Sequence, residues 1–243
     1  MMKQELLYEY GLNEQGQIIK AKDAHKGKKY ICPGCKTDFI LRKSGKTGPG
    51  SRIPHFAHNN LTDSCSFESY LHKTFILKTV EFLQELINKN LPLVVNWKCS
   101  LCQDKHTMNI LHNISGVKAE YSMKERKPDI TLYLSSGIVP AVIEVIYKHP
   151  PEKEALQFYR QHNIRVIQIK IASDNDLDNI EQKLINPTSF DLCITPRFRK
   201  IPLISVGRPR FRPSNGIPND FLDNPGKYYS KNGKFYIKRR RWL

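Results

Sequence analysis

Two acidic residues inside apolar segments are the first candidates for chemistry in this sequence. Asp129 follows a proline at the start of the apolar run 130–134, and Glu144 lies between Ile143 and Val145 in the run 141–147. Ionised carboxylates are rarely buried unless they are paired or bind a metal ion. On neighbouring strands the two could chelate one divalent cation, Mg²⁺ or Mn²⁺. In the alternative interpretation, Asp129 caps a turn and Glu144 pairs with a nearby lysine.

Cysteine and histidine residues near the N-terminus have the spacing of a zinc site. Cys32 and Cys35 form a Cys-Pro-Gly-Cys turn, and His55, His58 and Cys65 follow. Two thiolates on one tight turn, a third thiolate and one imidazole complete a closed tetrahedral Zn²⁺ site. We expect His58 to be the ligand because it is nearer Cys65, while His55 orients the site or contacts phosphate. Otherwise both histidines are ordinary turn residues.

A second cysteine pair, Cys99 and Cys102, has no further pair downstream. With either His106 or Cys193 it could form a second zinc site. The alternative is a tight hairpin turn that binds no metal.

Apolar patterning predicts the elements that position these residues. Residues 66–89 predict the longest helix, because Ser66 is a good N-cap and an apolar stripe follows at helical spacing. Near the start of this helix, Glu68 and His72 share a face. They could reach the two carboxylates or form a solvated pair.

The two apolar runs that carry the acidic residues are predicted to form an antiparallel hairpin, since Ser135-Ser136-Gly137 between them is a turn signal. A helix over 152–162 and an apolar run over 165–171 predict a crossover that returns a parallel strand to the sheet. Residues 174–184 predict one short helix.

These motifs, in this order, resemble the competence protein CoiA-like nuclease family of the PD-(D/E)xK superfamily. The resemblance runs from Cys32 to about Ile171 and includes Cys-Pro-Gly-Cys, Pro-His-Phe-Ala-His, and the Pro-Asp and Ile-Glu-Val of the hairpin. It implies an N-terminal zinc-binding segment followed by a nuclease domain in which the two acids hold the catalytic metal. The family's acid upstream of Pro-Asp corresponds to Glu120.

One position departs from that resemblance. Family members carry Lys or Gln two residues after the second acid, where it positions the attacking water, but this chain has Ile146. With a side-chain period of two, Lys148 would share a strand face with Glu144 and could supply the ammonium group. It could equally be surface charge. His72 is a further candidate for proton handling or phosphate contact.

The composition favours a polyanionic partner. Lys plus Arg number 39 against 23 Asp plus Glu, a net charge of +16, and charge of that sign drives nucleic-acid binding. A membrane is not expected, because neither a long apolar span nor a basic amphipathic helix is evident. Without a signal-like N-terminus, and with cysteines spaced for metal, we expect a cytoplasmic protein.

From Arg197 onward the sequence becomes basic and aromatic, a composition suited to phosphate contacts and base stacking or to a protein partner. The candidate nucleic-acid contacts there are Arg208, Arg210, Arg212, Lys238, Arg239, Arg240 and Arg241.

Together these observations predict an α/β protein with a PD-(D/E)xK nuclease-like core, a mixed sheet flanked by helices. The predicted divisions are a zinc-binding segment at 1–65, the nuclease-like domain at 66–190 and a basic extension at 191–243. The expected function is a Mg²⁺-dependent DNA endonuclease acting in DNA uptake, mobility or defence. The alternatives are a non-catalytic nucleic-acid-binding subunit with a degenerate nuclease fold, and a partner-binding module in a larger machine.

Overall fold

The computed structural model describes residues 7–43, 53–58, 65–123 and 125–194, together with the backbone of two strands at 228–231 and 234–237. By their contacts, Met1–Arg199 and Lys200–Leu243 are two separate units. The predicted divisions at 65 and 190 stay predictions. None of the helices in the part of the chain that the structure describes is long and apolar enough to cross a membrane.

The N-terminal part of the first unit is a five-stranded sheet with the order β2-β1-β3-β4-β5, and every neighbouring pair is antiparallel. Its strands are β1 (Tyr10–Leu12), β2 (Ile18–Lys20), β3 (Tyr30–Ile31), β4 (Asp38–Arg42) and β5 (His55–His58). Phe39 and Phe56 stack at 5.5 Å between ring centroids in its core. This sheet holds the first cysteine pair near β5.

Helix α1 (Phe67–Asn88) confirms the helix predicted over 66–89. The Ser66 hydroxyl accepts a hydrogen bond from the Ser69 N–H at 3.0 Å and so caps the first turn. At the other end Asn90 adopts the left-handed conformation (φ +53°) in which helices commonly end. The Tyr70 hydroxyl accepts from the Tyr10 N–H at 2.9 Å and joins the helix to β1.

A two-stranded ribbon follows, β6 (Val94–Lys98) paired antiparallel with β7 (Lys105–Asn109). Its turn carries the second cysteine pair. The indole N–H of the buried Trp97 donates to the Leu192 carbonyl at 2.8 Å, which holds the segment before Cys193 against the ribbon.

The second sheet has the order β12-β11-β10-β9-β8. Its elements along the chain are β8 (Gly116–Ala119), β9 (Ile130–Tyr133), β10 (Ala141–Ile146), α2 (Lys153–Gln161), β11 (Arg165–Lys170), α3 (Asn175–Asp178), α4 (Ile180–Ile185) and β12 (Ser189–Phe190). The β9–β10 hairpin is antiparallel and β10–β11 is parallel, as predicted. The single helix predicted over 174–184 is wrong: two short helices meet at Asn179, where the backbone leaves helical geometry.

The two faces of this sheet pack against different helices. Ile143 and Val145 belong to the large core that includes α1, whereas Val142 packs with Tyr159 of α2. Because side chains alternate along a strand, Glu144 points to the α2 face. The architecture is thus mixed α/β, and its sheet presents the two acids between two helices. In the second unit, β13 (Tyr228–Lys231) pairs antiparallel with β14 (Lys234–Ile237).

Candidate active site and metal centres

The two predicted acids lie side by side at the end of the hairpin. Ile130 pairs with Ile143, so the next residues outward, Asp129 and Glu144, continue the same register. Asp129 Oδ2 accepts the Val145 N–H at 2.8 Å, which replaces the next ladder hydrogen bond and orients the carboxylate. The structure therefore brings together the pair that the sequence singled out.

Glu144 is the more perturbed of the two. Burial raises its pKa to about 7, and the charge of Asp129 and a hydrogen bond between the two carboxyl groups act in the same direction. The Tyr159 hydroxyl donates to Glu144 Oε1 at 2.7 Å and opposes the rise. Burial and Asp129 therefore favour the protonated form of Glu144, and a cation bound beside it would displace that proton.

His72 of α1 reaches the same acids from the other face. Its Nε2 lies 3.2 Å from Asp129 Oδ2 and 3.0 Å from the Val145 carbonyl oxygen. Burial lowers the pKa of His72, but the hydrogen bond and charge of Asp129, aided by the Val145 carbonyl, outweigh it and raise the pKa above its usual value. His72 thus donates to Asp129 and holds its Oδ2.

Glu120, the third predicted acid, lies next to the pair but is neutralised by lysines. Its N–H donates to the Asp129 carbonyl at 2.8 Å, and its backbone is left-handed (φ +48°), which is uncommon for a glutamate. Its carboxylate forms ion pairs with Lys73 and Lys127. Burial alone would raise the pKa of Glu120. The hydrogen bond and charge of Lys73, and then the charge of Lys127, outweigh burial, so the pKa lies below its usual value and the carboxylate is ionised at neutral pH.

Lys148 does not lie where the strand alternation predicts. Strand β10 ends at Ile146, so the alternation stops before Lys148, whose ammonium pairs with Glu68 of α1 at 3.2 Å. The Lys148 side chain is 60% exposed. Ile146 itself is buried. Glu68 therefore faces Lys148, whereas His72, four residues on, faces the acids.

The first cysteine cluster matches the donor set of a structural zinc site. Ligand atoms of Cys32, Cys35, His58 and Cys65 all lie within 4.8 Å of one another. The Sγ atoms of Cys32 and Cys65 are 3.6 Å apart, and a tetrahedral ion with Zn–S bonds of about 2.3 Å needs about 3.8 Å. Thr37 contacts His58 Nδ1 at 3.1 Å, which turns Nε2 toward the thiols. His55 instead contacts the Ile53 carbonyl.

The second cluster contains both of the alternative ligands. Cys99, Cys102, His106 and Cys193 place their ligand atoms within 4.8 Å of one another. His106 Nε2 lies 3.1 Å from Cys102 Sγ and 3.9 Å from Cys193 Sγ. Two Cys/His clusters could therefore each hold a zinc ion. The second would tie the β6–β7 ribbon to the segment that follows β12.

The predicted nucleic-acid contacts of the extension lie outside the described residues, namely Arg208, Arg210, Arg212, Lys238, Arg239, Arg240 and Arg241. Sequence reasoning missed Tyr159, the hydroxyl that holds Glu144. Its only signal was a tyrosine in the crossover helix predicted over 152–162.

Comparison with known proteins locates a family signal at the N-terminus. Residues 13–68 match the family model described as competence protein CoiA, N-terminal domain. The match covers less than a quarter of the 243-residue chain and includes all four residues of the first cluster. It confirms a CoiA-like N-terminal segment. No curated protein and no solved structure matches the chain.

Proposed function

We propose that this chain is a metal-dependent nuclease that cleaves DNA in a competence-related process such as DNA uptake. The N-terminal CoiA-like match supports the competence link. The observation that carries the activity is the acid pair of the β9–β10 hairpin, in which a partly buried Glu144 beside Asp129 has a pKa raised to about 7. Strongly perturbed carboxyl groups that share one site are typical of catalytic and metal-binding centres.

Asp129 is held by the protein through one oxygen. Its Oδ2 accepts from the Val145 N–H and from His72. Two fixed donors on one oxygen prevent the carboxylate from rotating, so Oδ1 is the oxygen offered to a cation. His72 and the Val145 N–H of β10 thus set the direction of the first ligand.

Glu144 is held in the same way. The Tyr159 hydroxyl donates to Oε1 from the α2 side of the sheet, which leaves Oε2 for the cation. The two acids together offer a hard divalent cation the oxygen ligands that Mg²⁺ and Mn²⁺ take in proteins. A cation bound there supplies Lewis-acid activation of water and neutralises charge on the phosphodiester. Glu120 lies next to the pair, but its ion pairs with Lys73 and Lys127 offset its charge.

Cleavage assays on the zinc-loaded protein test this function. Purified protein is incubated with supercoiled plasmid and with circular single-stranded DNA in metal-depleted buffer, with Mg²⁺, Mn²⁺ or Ca²⁺ added. Chelators are avoided because they would also strip the cysteine clusters. We expect cutting with Mg²⁺ or Mn²⁺. Asp129→Asn and Glu144→Gln should each lower the rate by more than about 100-fold, since each removes a metal ligand.

Glu154→Gln is the matched control, because Glu154 is an exposed acid in the first turn of α2. It should cut like the wild type. Equal cutting by all four proteins would point to a contaminating nuclease and refute the assignment of the acid pair.

A second candidate is a DNA-binding subunit that does not cut. Two observations favour it: the family's Lys or Gln position is filled by the buried Ile146, and the Lys148 ammonium is exposed and paired with Glu68. This function predicts salt-dependent DNA binding by wild type with no cleavage under any metal. Asp129→Asn would then leave DNA affinity unchanged.

A further inference from the structure

Arg126 lies on the same side of the sheet as Glu144. It closes a tight turn with Met123, whose N–H donates to the Arg126 carbonyl at 2.7 Å and whose carbonyl accepts from the Arg126 N–H at 3.1 Å. Met123 packs against the small core of Val142 and Tyr159 between the sheet and α2. The turn therefore holds Arg126 on the α2 face, three residues before Asp129.

The guanidinium of Arg126 is incompletely paired. Its Nε is buried and has no hydrogen-bond partner among the residues that the structure describes. Its Nη1 lies 3.4 Å from Oε2 of Glu152, a carboxylate that is 76% exposed and so contributes little. A buried N–H of a cation that lacks an acceptor costs free energy, and an anion that supplied the acceptor would remove that cost.

The same small core connects this turn to the acid pair. Met123 packs against the core that contains Tyr159, and the Tyr159 hydroxyl donates to Glu144 Oε1 at 2.7 Å. By contrast, Lys148 pairs with a residue of α1, the helix on the opposite face.

We propose that Arg126 is a catalytic residue that binds a non-bridging oxygen of the phosphodiester held at Asp129 and Glu144. It would supply the positive charge that Ile146 cannot. A planar guanidinium presents a fork of N–H donors that fits phosphate oxygens. This inference rests on the proposed nuclease function, but the anion contact itself can be tested without cleavage.

The first test measures cleavage by Arg126→Ala, Arg126→Lys and the control Arg160→Ala. Arg160 is an exposed arginine of α2 that pairs with Asp191 at 3.2 Å. Arg160→Ala therefore also removes one positive charge and one exposed ion pair. We expect Arg126→Ala to lower kcat by about 100-fold and to raise KM by about 10-fold, because the contact holds the bound phosphate and strengthens further with transition-state charge. Lysine should restore part of the rate. Arg160→Ala should cut like wild type.

Chemical rescue separates contact from folding. Added guanidinium chloride at concentrations well below those that unfold the protein should restore cleavage by Arg126→Ala, whereas sodium chloride at equal ionic strength should not. Urea denaturation of each variant without DNA checks that the fold is intact. An unchanged kcat in a folded Arg126→Ala, or a lowered kcat that guanidinium cannot restore, would overturn the proposal.

The second test applies if wild type does not cut, so that the two proposals can fail separately. Binding of a fluorescent hexathymidylate is measured by anisotropy with and without Mg²⁺. We expect Mg²⁺ to tighten binding to wild type and to Arg160→Ala, and the Mg²⁺-dependent part to fall by about 10-fold or more in Arg126→Ala. Equal Mg²⁺-dependent binding by wild type and Arg126→Ala, or binding that Mg²⁺ leaves unchanged in wild type, would exclude Arg126 as a phosphate contact at this site.

Discussion

Replacing Glu144 with glutamine should stabilise the metal-free protein at alkaline pH. The carboxyl group of Glu144 has its pKa raised from 4.5 to about 7 in the folded chain, mainly by burial and then by Asp129. An acid whose pKa is raised binds its proton more tightly in the folded state than in the unfolded state. Its contribution to stability is therefore fully present below pH 4.5 and is lost as pH rises through about 7.

The size of the effect follows from the same two values. A change from 4.5 to about 7 corresponds to roughly 3 kcal/mol of unfolding free energy between the two limits. Glutamine is uncharged at every pH and still offers an oxygen to the Tyr159 hydroxyl. Glu144→Gln should therefore be more stable than wild type by up to about 3 kcal/mol near pH 8.5, and by about 1 kcal/mol or less near pH 5.

Urea denaturation measures this difference. The fluorescence of Trp97, which is buried, follows the loss of tertiary packing. Both proteins are studied without magnesium and with the zinc retained, so that pH effects on the cysteine clusters cancel between them. Glu154→Gln, an exposed acid of α2, is the control and should show no pH-dependent difference from wild type.

A stability difference of the same size at both pH values would refute the reasoning, because it would show that ionisation of Glu144 costs nothing in the folded state. So would a glutamine variant less stable than wild type near pH 8.5. A second arm adds Mg²⁺, which should stabilise wild type increasingly as pH rises and should have less effect on the variant.

Four further predictions concern the metal clusters, the extension and Lys148. Cys35→Ser should lose one zinc per chain by elemental analysis and unfold at lower urea, since metal-binding free energy is part of the folding free energy. Cys193→Ser should lower the zinc content in the same way and loosen the segment held by Trp97, seen as faster amide exchange in β6 and β7. Truncation after Ile194 should weaken DNA binding and reduce its salt dependence by about one unit for each phosphate group that the extension neutralises. Lys148→Ala should change the cleavage rate by less than about threefold, because an exposed ion pair with Glu68 contributes little.

Each of these has a contrary result. Unchanged zinc content in either cysteine variant would remove that cluster from the metal centres, and unchanged exchange in the ribbon would show that zinc does not fix the segment. An identical salt dependence after truncation would assign the extension to a protein partner instead of DNA. A large loss of rate in Lys148→Ala with DNA binding unchanged would restore the lysine as the replacement for the ammonium missing at Ile146, in place of Arg126.

The local parts of this molecule follow from the sequence because their determinants are neighbours along the chain. Ser66 caps the helix that the apolar stripe predicts, and the turn at 135–137 joins two strands whose alternation sets their faces. The crossover helix and the parallel strand after it were predicted for the same reason. Asp129 and Glu144 could be paired from the sequence because one hairpin carries both.

Contacts between distant segments were decided only by the tertiary structure. The approach of Tyr159 to Glu144 depends on how α2 lies across the sheet. The sequence left either His106 or Cys193 as the further ligand of the second cluster, but the chain after β12 returns to the ribbon and brings both to the cysteine pair. Strand alternation misplaced Lys148 because β10 ends two residues earlier. The raised pKa of Glu144 has the same origin, since burial depends on what packs around a carboxyl group and the sequence pattern records only which face it occupies.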